Sequence, residues 1–296
     1  MSAVLRRLAP AKVNLFLHVG PVAADGYHPL SSLMVFADVG DEVRFEPAGA
    51  MAFEITGPFG AALAADDDNL VVRARDQLLA AFPGRHPAFR LVLDKRLPIA
   101  AGIGGGSADA AAALLLLQDA LGLEQGADQG LQAIARALGS DVPACLAGLP
   151  TFATGRGDDL ADPPTFPDMD LVLVNPGVPS PTGKVYRAYD DAGAPGGAEP
   201  PAFPGPMSDA RTVAAFLAGT RNDLEPPAVA LNPAIGEALG ILRGQPESLF
   251  VRMSGSGATC FALAADAQAA GRLAASLAAD HPGWWVRPCR IKGSLN

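Results

Sequence analysis

The chain has 296 residues, of which 49% are hydrophobic and 18% charged, and its formal net charge at pH 7 is −9. A chain of this length predicts about two domains of ordinary size with substantial buried cores. The acidic balance argues against general nucleic-acid binding, which needs a basic surface. The apolar run 110–117 is far shorter than the ~18 residues that cross a membrane, and the N-terminal residues lack the apolar core of a signal peptide. We therefore expect a cytoplasmic protein with no membrane attachment.

Cysteine usage argues against a disulfide framework and against a zinc site. Cys145, Cys260 and Cys289 are widely spaced, odd in number and form no CxxC pair. A disulfide framework needs paired cysteines, and zinc ligands usually come in closely spaced pairs. We expect these residues to act as small buried apolar groups.

The chain begins with strand patterns. Residues 12–19 alternate with a period of two, which predicts a half-buried strand. Lys12 and Asn14 therefore point the same way, roughly 7 Å apart along the strand, and His18 is expected at the solvent or at an edge. After a turn at 25–26, further strands are predicted over 28–39, 41–46 and 52–56.

Helices dominate the next segment. The spacing of apolar residues predicts a helix over 69–82 and then a strand over 89–93. A glycine-rich segment follows, and it leads into a helix ending near residue 122 and another over 128–138. Gly, Pro and Asp become frequent over 150–168, and we place the domain boundary there, giving domains 1–155 and 156–296.

The second half alternates helices with a small predicted sheet, which is typical of an α+β layer sandwich. The segment 190–206 is rich in Gly and Pro and predicts a surface loop or a locally disordered insertion. Met207 or Ser208 is expected near the cap of the helix that follows. The other predicted elements are strands over 171–175, 248–253, 259–263 and 284–291, and helices over 182–189, 208–217, 266–279 and within 228–242.

The glycine-rich segment PIAAGIGGGSADAAAALLLL, residues 98–117, carries the clearest chemical signal. Its glycines let backbone N–H groups approach a bulky ligand, and Ser107 is the expected N-cap, with Asp109 in the first helical turn. Loop and helix N-terminus together predict a phosphate site. Gly106 stands where a Walker loop needs lysine, and Ser107 stands where the dinucleotide fingerprint needs a third glycine. The structural alternative is a turn that only lets the helix pack closely.

This segment resembles the ATP-binding signature of the GHMP kinases: Pro, three residues, Gly, Leu, and small residues ending in Ser, with Ile103 here in place of Leu. The blocks PAKVNLFLHV with DGYHPLSSLM, GSDVP, and MSGSGATCF are similar to one branch of that superfamily, which acts on a cytidine diphosphate sugar-alcohol in isoprenoid precursor synthesis. The resemblance spans nearly the whole chain. It implies an α+β, two-domain architecture, with a ribosomal protein S5 domain 2-like N-terminal domain and a ferredoxin-like α/β-sandwich C-terminal domain.

The resemblance also implies an ATP-dependent kinase that uses Mg²⁺. The residues it assigns to ATP are Pro98, Gly102, Ile103, Gly104, Gly105, Gly106, Ser107 and Ala108. Ser107 is also a possible Mg²⁺ ligand, although capping the helix would compete for the same oxygen. No dense carboxylate cluster dedicated to Mg²⁺ is visible, which is tolerable because phosphates and water usually hold this ion.

Phosphoryl transfer to a hydroxyl needs positioning, charge neutralisation and a route for the proton. The resemblance makes Asp141 the proton acceptor, Lys12 the cation that holds Asp141 and the hydroxyl, and Asn14 a hydrogen-bonding partner of the pair or the substrate. The residues alone leave alternatives open. Asp141 fits equally well as the N-cap of a short helix, and Lys12 fits an ordinary solvated lysine. A further alternative is a loose transition state that needs no strong base.

By the same resemblance, Tyr27 stacks on the cytosine, His28 hydrogen-bonds its edge, and Thr182 and Tyr186 complete the substrate site, with Tyr186 as the second stacking ring. Taken alone, Tyr27 and His28 fit an ordinary surface aromatic and histidine. Gly255 and Gly257 fit a hairpin loop, and the resemblance makes them a wall near the glycine-rich segment and the substrate.

Three other functions remain open on the sequence. Another GHMP kinase activity, on homoserine or mevalonate, is disfavoured by the GYH block. A ligand sensor without catalysis is disfavoured because Lys12 and Asp141 are both present, and RNA binding is disfavoured by the acidic balance. The expected partner is a small-molecule substrate, with no nucleic acid and no membrane, and the protein is expected to be a monomer or homodimer.

Overall fold

A computed structural model describes residues 4–63, 68–84, 86–123, 127–193 and 196–294. The chain divides into two compact units, and each unit combines segments that are distant in sequence. Unit 1 comprises Met1–Ala11, Gly40–Ile99 and Gly104–Gly148, and unit 2 comprises Lys12–Val39, Ala100–Ile103 and Leu149–Asn296. The α+β class is confirmed, whereas the domain division at residue 155 stays a prediction.

Strands β1 (Leu5–Val19) and β2 (Leu30–Pro47) are long, and each runs from one unit into the other. The predicted strands 28–39 and 41–46 are therefore one continuous strand. Gly40 makes this continuity possible, because a Cβ there would lie 2.7 Å from the carbonyl carbon of Ala9. A residue with a side chain would force the two strands apart at this point.

In unit 1, the second part of β2 pairs antiparallel with β4 (Phe89–Asp94), from Glu42 opposite Asp94 to Pro47 opposite Phe89. Strand β3 (Ala52–Thr56) pairs in parallel with β4. These pairings confirm the strands predicted over 41–46, 52–56 and 89–93. A short 3-10 helix, Gly60–Ala62, follows β3.

The helices of unit 1 are α1 (Leu70–Ala81), α2 (Gly105–Leu121), α3 (Ala127–Leu138) and α4 (Val142–Ala147). They contact one another, and the inward faces of α1 and α2 are buried Val, Ala and Leu side chains. Asn69 caps α1, because its Oδ1 accepts a hydrogen bond of 3.0 Å from the backbone N–H of Val71. The helix predicted over 69–82 is thereby confirmed.

Unit 2 contains an antiparallel sheet in the order β2–β10–β7–β9–β8. A short hairpin, β5–β6, pairs with the first part of β2, where Ser32 lies opposite Ala153. The sequence did not predict this hairpin, because its strands are only four and three residues long and lie in a Gly- and Pro-rich stretch. The strands are β5 (Thr151–Thr154), β6 (Asp159–Ala161), β7 (Met169–Asn175), β8 (Phe250–Met253), β9 (Cys260–Ala264) and β10 (Trp285–Ile291).

The helices of unit 2 correct two predictions. Asp209, and not Met207 or Ser208, caps α6, since its Oδ1 accepts a hydrogen bond from the Thr212 N–H. The helix expected within 228–242 is two helices, because Pro233 has no N–H to continue the first one. The helices are α5 (Thr182–Asp191), α6 (Ala210–Ala218), α7 (Glu225–Leu231), α8 (Pro233–Arg243) and α9 (Ala267–Asp280).

The Gly- and Pro-rich segment is a loop, as predicted, but its described residues pack onto β1. Residues 194 and 195 lie outside the described part. The Glu199 carbonyl lies 2.9 Å from Nδ1 of His18, and the Phe203 ring lies 6.4 Å from the Phe16 ring. The prediction that His18 is a solvent or edge histidine is wrong, because its side chain is buried, and this burial lowers its pKa.

All three cysteines are free and buried, as expected. Burial raises the pKa values of the Cys260 and Cys289 thiols above their ordinary value, so neither thiol is activated as a nucleophile. Across the described ranges, no helix combines the length and apolar character needed to cross a membrane.

Candidate active site

Helix α2 begins at Gly105, three residues before the predicted start. Its N-cap is Gly104, whose φ of +61° places it in the left-handed region that glycine tolerates, and its carbonyl accepts a 2.9 Å hydrogen bond from the Ala108 N–H. The prediction that Ser107 is the N-cap is wrong, because Ser107 is the third helical residue. Asp109 is the fifth residue and lies beyond the first turn.

This start leaves the helix end open to an anion. The N–H groups of Gly105, Gly106 and Ser107 have no acceptor within the helix. The first two residues have no side chain to cover these donors, and Gly106 is exposed. Behind them, 17 helical residues align their peptide dipoles, which favours negative charge at this end.

Three residues of the predicted ATP-binding set are buried. They are Pro98, Ile103 and Ala108, and Ile103 and Ala108 are each 1% exposed. The Ile103 carbonyl also accepts a 3.0 Å hydrogen bond from the Lys12 N–H. This hydrogen bond ties the glycine-rich segment to β1.

In unit 2, Gly102 packs backbone to backbone against the loop between β8 and β9. Its φ is +71°, and an added Cβ would lie 2.6 Å from the Gly257 nitrogen and closer still to the Ser254 carbonyl oxygen. The Ser254 hydroxyl donates a 2.9 Å hydrogen bond to the Gly102 carbonyl, and the Thr259 N–H donates one of 3.0 Å to that of Ala101. Glycine at 102 is required both by conformation and by space.

Replacing Gly102 by alanine should lower the free energy of unfolding. The left-handed backbone alone costs alanine about 1–2 kcal/mol, and the overlap with the Ser254 carbonyl adds to this cost. Gly271→Ala is the matched control, because Gly271 lies inside α9 with no atom within 4 Å of an added Cβ, and it should gain about 0.5–1 kcal/mol. Urea unfolding would measure both, and an unchanged unfolding midpoint for Gly102→Ala would contradict the packing described.

The loop that faces Gly102 is buried and is held from several sides within unit 2. The Asn222 side-chain amide donates 2.8 Å hydrogen bonds to the carbonyls of Met253 and Gly255. The Ser180 hydroxyl donates one of 2.7 Å to the Ser256 carbonyl, and the hydroxyls of Thr182 and Ser256 lie 2.9 Å apart. Gly255 and Gly257 are buried and have no side chains, so they contact the glycine-rich segment through their backbone.

Lys12 is 4% exposed and belongs to a buried polar network, so the solvated-lysine interpretation is wrong. Its Nζ donates a 3.1 Å hydrogen bond to Oδ1 of Asn14. The Asn14 amide nitrogen donates one of 2.7 Å to Oγ of Ser32, and the Asn14 backbone N–H donates one of 3.0 Å to Oγ of Ser254. The network fixes the direction of the lysine before any ligand binds.

Asp141 lies in unit 1, whereas Lys12 lies in unit 2. Asp141 is the residue before α4, but its side chain makes no capping hydrogen bond to that helix. The capping alternative is therefore wrong for the carboxylate, although Asp141 has the N-cap position. This carboxylate is thus not used to satisfy the helix end.

A buried charge cluster lies under the start of α2 in unit 1. Lys95 Nζ donates hydrogen bonds to Oδ2 of Asp41 and, over 2.7 Å, to Oδ2 of Asp109, and all three side chains are at most 3% exposed. The same nitrogen lies 3.0 Å from the position of an added Cβ at Gly105, so a larger residue there would press on the lysine side chain. Burial raises the pKa of Asp109, whereas that of Lys95 is raised by the two carboxylates against the effect of burial.

The residues assigned to the cytosine lie in unit 2. Tyr27 is 55% exposed, and the guanidinium of Arg156 lies 4.1 Å from its ring centroid. His28 Nδ1 lies 2.9 Å from the Gly20 carbonyl and therefore carries the proton, and its ring lies 5.0 Å from that of Tyr186 at 35°. Two of the predicted aromatic residues are thus neighbours.

Sequence reasoning missed several residues that hold the site. Ser254 and Ser256 belong to the block MSGSGATCF, in which only Gly255 and Gly257 are predicted to have a role. Asn222 and Ser32 gave no local signal, since each acts on residues far away in the chain. The buried cluster of Lys95, Asp41 and Asp109 likewise joins three separate segments.

Mg²⁺ would find few dedicated ligands here. Among the residues that the structure describes, no three His, Cys, Asp or Glu side chains are grouped to hold a metal ion. This arrangement fits an ion carried mainly by phosphates and water. Because Gly104 is the cap, the Ser107 hydroxyl is not required for capping.

Two family profiles match the chain. The profile of the GHMP kinases N terminal domain matches residues 69–149, and the profile of the GHMP kinases C terminal domain matches residues 208–283. The first match contains the glycine-rich segment and Asp141.

The chain is similar over nearly its whole length to several named proteins. A 4-diphosphocytidyl-2-C-methyl-D-erythritol kinase of Caulobacter vibrioides (strain NA1000 / CB15N) is 57% identical over 97% of this chain and 99% of its own length. One of Xanthobacter autotrophicus is 48% identical over 98% and 99%. A crystal structure of 4-(cytidine 5'-diphospho)-2C-methyl-D-erythritol kinase has a TM-score of 0.77 at 36% identity and covers 98% of this chain and 100% of its own. A homoserine kinase from Cytophaga hutchinsonii, at 18% identity and a TM-score of 0.69, shares the fold.

Proposed function

Because the chain belongs to the GHMP kinase family, we propose that it transfers the γ-phosphoryl group of ATP to the 2-hydroxyl of 4-diphosphocytidyl-2-C-methyl-D-erythritol. The products would be the 2-phosphate and ADP, in non-mevalonate isoprenoid precursor synthesis. The names of its relatives support this substrate. We also propose that the enzyme works in the cytoplasm, as a monomer or homodimer.

The start of α2 is the observation that carries the proposal. Two successive glycines leave the first N–H donors of a 17-residue helix uncovered, and this is a site for phosphate. Gly102, Gly104, Gly105, Gly106 and Ser107 would line the triphosphate through their backbone. Pro98, Ile103 and Ala108 would fix the position of those glycines from the buried side.

Lys12 and Asp141 would act on the acceptor hydroxyl. The buried network of Lys12, Asn14 and Ser32 holds the ammonium group in one direction, so little ordering is required when substrate binds. Asp141 would accept the hydroxyl proton as the oxygen attacks the γ-phosphorus. The positive charge of Lys12 would stabilise the negative charge that develops on the attacking oxygen.

We propose that Mg²⁺ accompanies ATP, with the Ser107 hydroxyl as the protein ligand. The ion would neutralise part of the charge on the phosphate oxygens. The protein would contribute the orientation of that hydroxyl, which the helical position of Ser107 fixes.

The cytosine would be recognised by residues of unit 2. Tyr27 exposes an aromatic face, and stacking of a base on such a ring contributes about 1–3 kcal/mol. Tyr186 would supply the second ring, and His28, whose ring lies beside that of Tyr186, would face the edge of the base. Asn14 and Thr182 would contact the rest of the substrate, with Gly255 and Gly257 forming the wall behind it.

The test is a phosphoryl-transfer assay with Mg·ATP and a panel of alcohols. We expect release of ADP with the cytidine substrate and, by ³¹P NMR, a new phosphate monoester on the 2-hydroxyl. Homoserine and mevalonate should give no ADP above the rate without an acceptor. Turnover of either of these alcohols in place of the cytidine substrate would overturn the assignment, and so would nucleotide binding without any turnover.

A further inference from the structure

Arg156 lies at the tip of the β5–β6 hairpin, between two glycines in the left-handed region. Gly155 has a φ of +66° and Gly157 a φ of +95°. The Leu30 N–H donates a 2.8 Å hydrogen bond to the Gly155 carbonyl, which ties this tip to the residues directly after Tyr27 and His28. The backbone around Arg156 is therefore fixed in position, and the arginine side chain extends from a fixed point.

The side chain of Arg156 forms a closed set of contacts with Asp25 and Tyr27. Its Nε and Nη2 donate hydrogen bonds of 3.2 and 2.6 Å to Oδ2 of Asp25. The other oxygen of Asp25 accepts a 3.0 Å hydrogen bond from the Tyr27 N–H. These N–H groups, first that of Tyr27 and then those of Arg156, keep the pKa of Asp25 below its usual value, so the carboxylate stays charged.

The guanidinium then covers one face of the Tyr27 ring at 4.1 Å from its centroid. A tight turn holds the backbone beneath, since the Ala23 N–H donates to the Tyr27 carbonyl over 2.8 Å. Tyr27 and Arg156 both line a cavity of about 350 Å³. The backbone of Tyr27 is thus held in place, and the Arg156 guanidinium covers one face of its exposed ring. The ring lies next to a space that could hold a ligand.

We infer that Arg156 is a positioning residue for the pyrimidine: it holds the Tyr27 ring in one orientation, leaving the opposite face ready to stack on the base. This inference rests on the proposed function, and it adds a residue to which neither the sequence nor the family resemblance gives a role. A ring that is ordered before binding loses less conformational entropy when the base arrives. Arg156 should therefore affect affinity for the cytidine substrate and leave the chemical step unchanged.

The test measures kcat and KM for both substrates in Arg156→Gln. We expect the KM for the cytidine substrate to rise about three- to ten-fold, with kcat and the KM for ATP unchanged. Arg156→Lys should recover only part of the loss, because an ammonium group lacks the planar fork that pairs with Asp25 and stacks on the ring. Arg90→Gln is the matched control, since Arg90 is 46% exposed against 48% for Arg156 and also donates through Nε and Nη2 to one carboxylate oxygen.

A double-mutant cycle with Tyr27→Leu separates positioning from direct contact. If Arg156 acts through the ring, Arg156→Gln should leave the KM unchanged once Tyr27 is leucine. Additive effects of the two substitutions, or an unchanged KM in Arg156→Gln alone, would overturn the inference. Failure of the proposed function is a separate result, because the unsubstituted enzyme would then not phosphorylate the cytidine substrate at all.

Discussion

Replacing Asp141 by asparagine should lower kcat by about 10²–10⁴-fold, the range that a positioned general base contributes. The amide keeps the size of the side chain but cannot accept the hydroxyl proton. Because the carboxylate does not cap α4, the substitution removes no capping hydrogen bond from that helix. The dissociation constant of ATP should also change little. Single-turnover kinetics with Mg·ATP and the cytidine substrate would measure the chemical step.

The control is Asp119→Asn, which removes the charge of an exposed aspartate that pairs with Arg7 on the surface of unit 1. This variant should keep normal kcat. Near-normal kcat in Asp141→Asn would show that the loose transition state needs no base, and the proposed role of Asp141 would then be abandoned.

Replacing Lys95 by methionine should lower the free energy of unfolding by about 3–5 kcal/mol, because it leaves the buried Asp41 carboxylate and the buried Asp109 side chain without the cation that both contact. Asp41 would keep the backbone N–H groups of Arg96 and Leu97 as partners. Asp109 would lose its partner on Oδ2, and within the described residues its Oδ1 already has no hydrogen-bond partner. Urea unfolding at pH 7 would measure the loss.

Two variants sharpen this test. Arg90→Met removes an exposed cation that contacts two carboxylates and should cost at most about 1 kcal/mol. Asp109→Asn should cost less than Lys95→Met and should flatten the pH dependence of stability. The raised pKa means that the folded protein keeps a proton that the unfolded chain releases, so stability falls as pH rises above the unfolded value of Asp109. Equal losses for Lys95→Met and Arg90→Met would contradict the buried cluster.

Local patterns predicted most elements of the fold. The strand around Lys12, the apolar spacing over α1 and the short strand at 89–93 each depend on neighbours in sequence, and each is confirmed. The half-burial expected over 12–19 is wrong, because every residue of that range is buried. Two errors occurred where a single residue determines where a helix begins or ends. Gly104 starts α2 through a left-handed φ, and Pro233 divides one expected helix into two.

The surroundings of the candidate site were harder to predict, because they depend on contacts between distant segments. Asn14 contacts Ser254, 240 residues away, and Lys95 joins Asp41 to Asp109. No periodicity or spacing rule indicates such pairs. The roles of Lys12, Asp141, Tyr27 and the other assigned residues came from the family resemblance, and they remain predictions that the kinetic experiments test.

The passage of β1 and β2 through both units determines the order in which the protein can fold during synthesis. All segments of unit 1 have been made once Gly148 is added, so this unit can fold while the ribosome is still working. Asn14 and Gly102 are also made early, but they gain Ser254 as a partner only after a further hundred residues. Strand β10, which pairs with β7 along its full length, comes last, roughly 10–30 s after unit 1 is complete. We therefore expect the nascent chain to gain activity only after its final strand has been added, even though its proposed catalytic residues are all made in the first half.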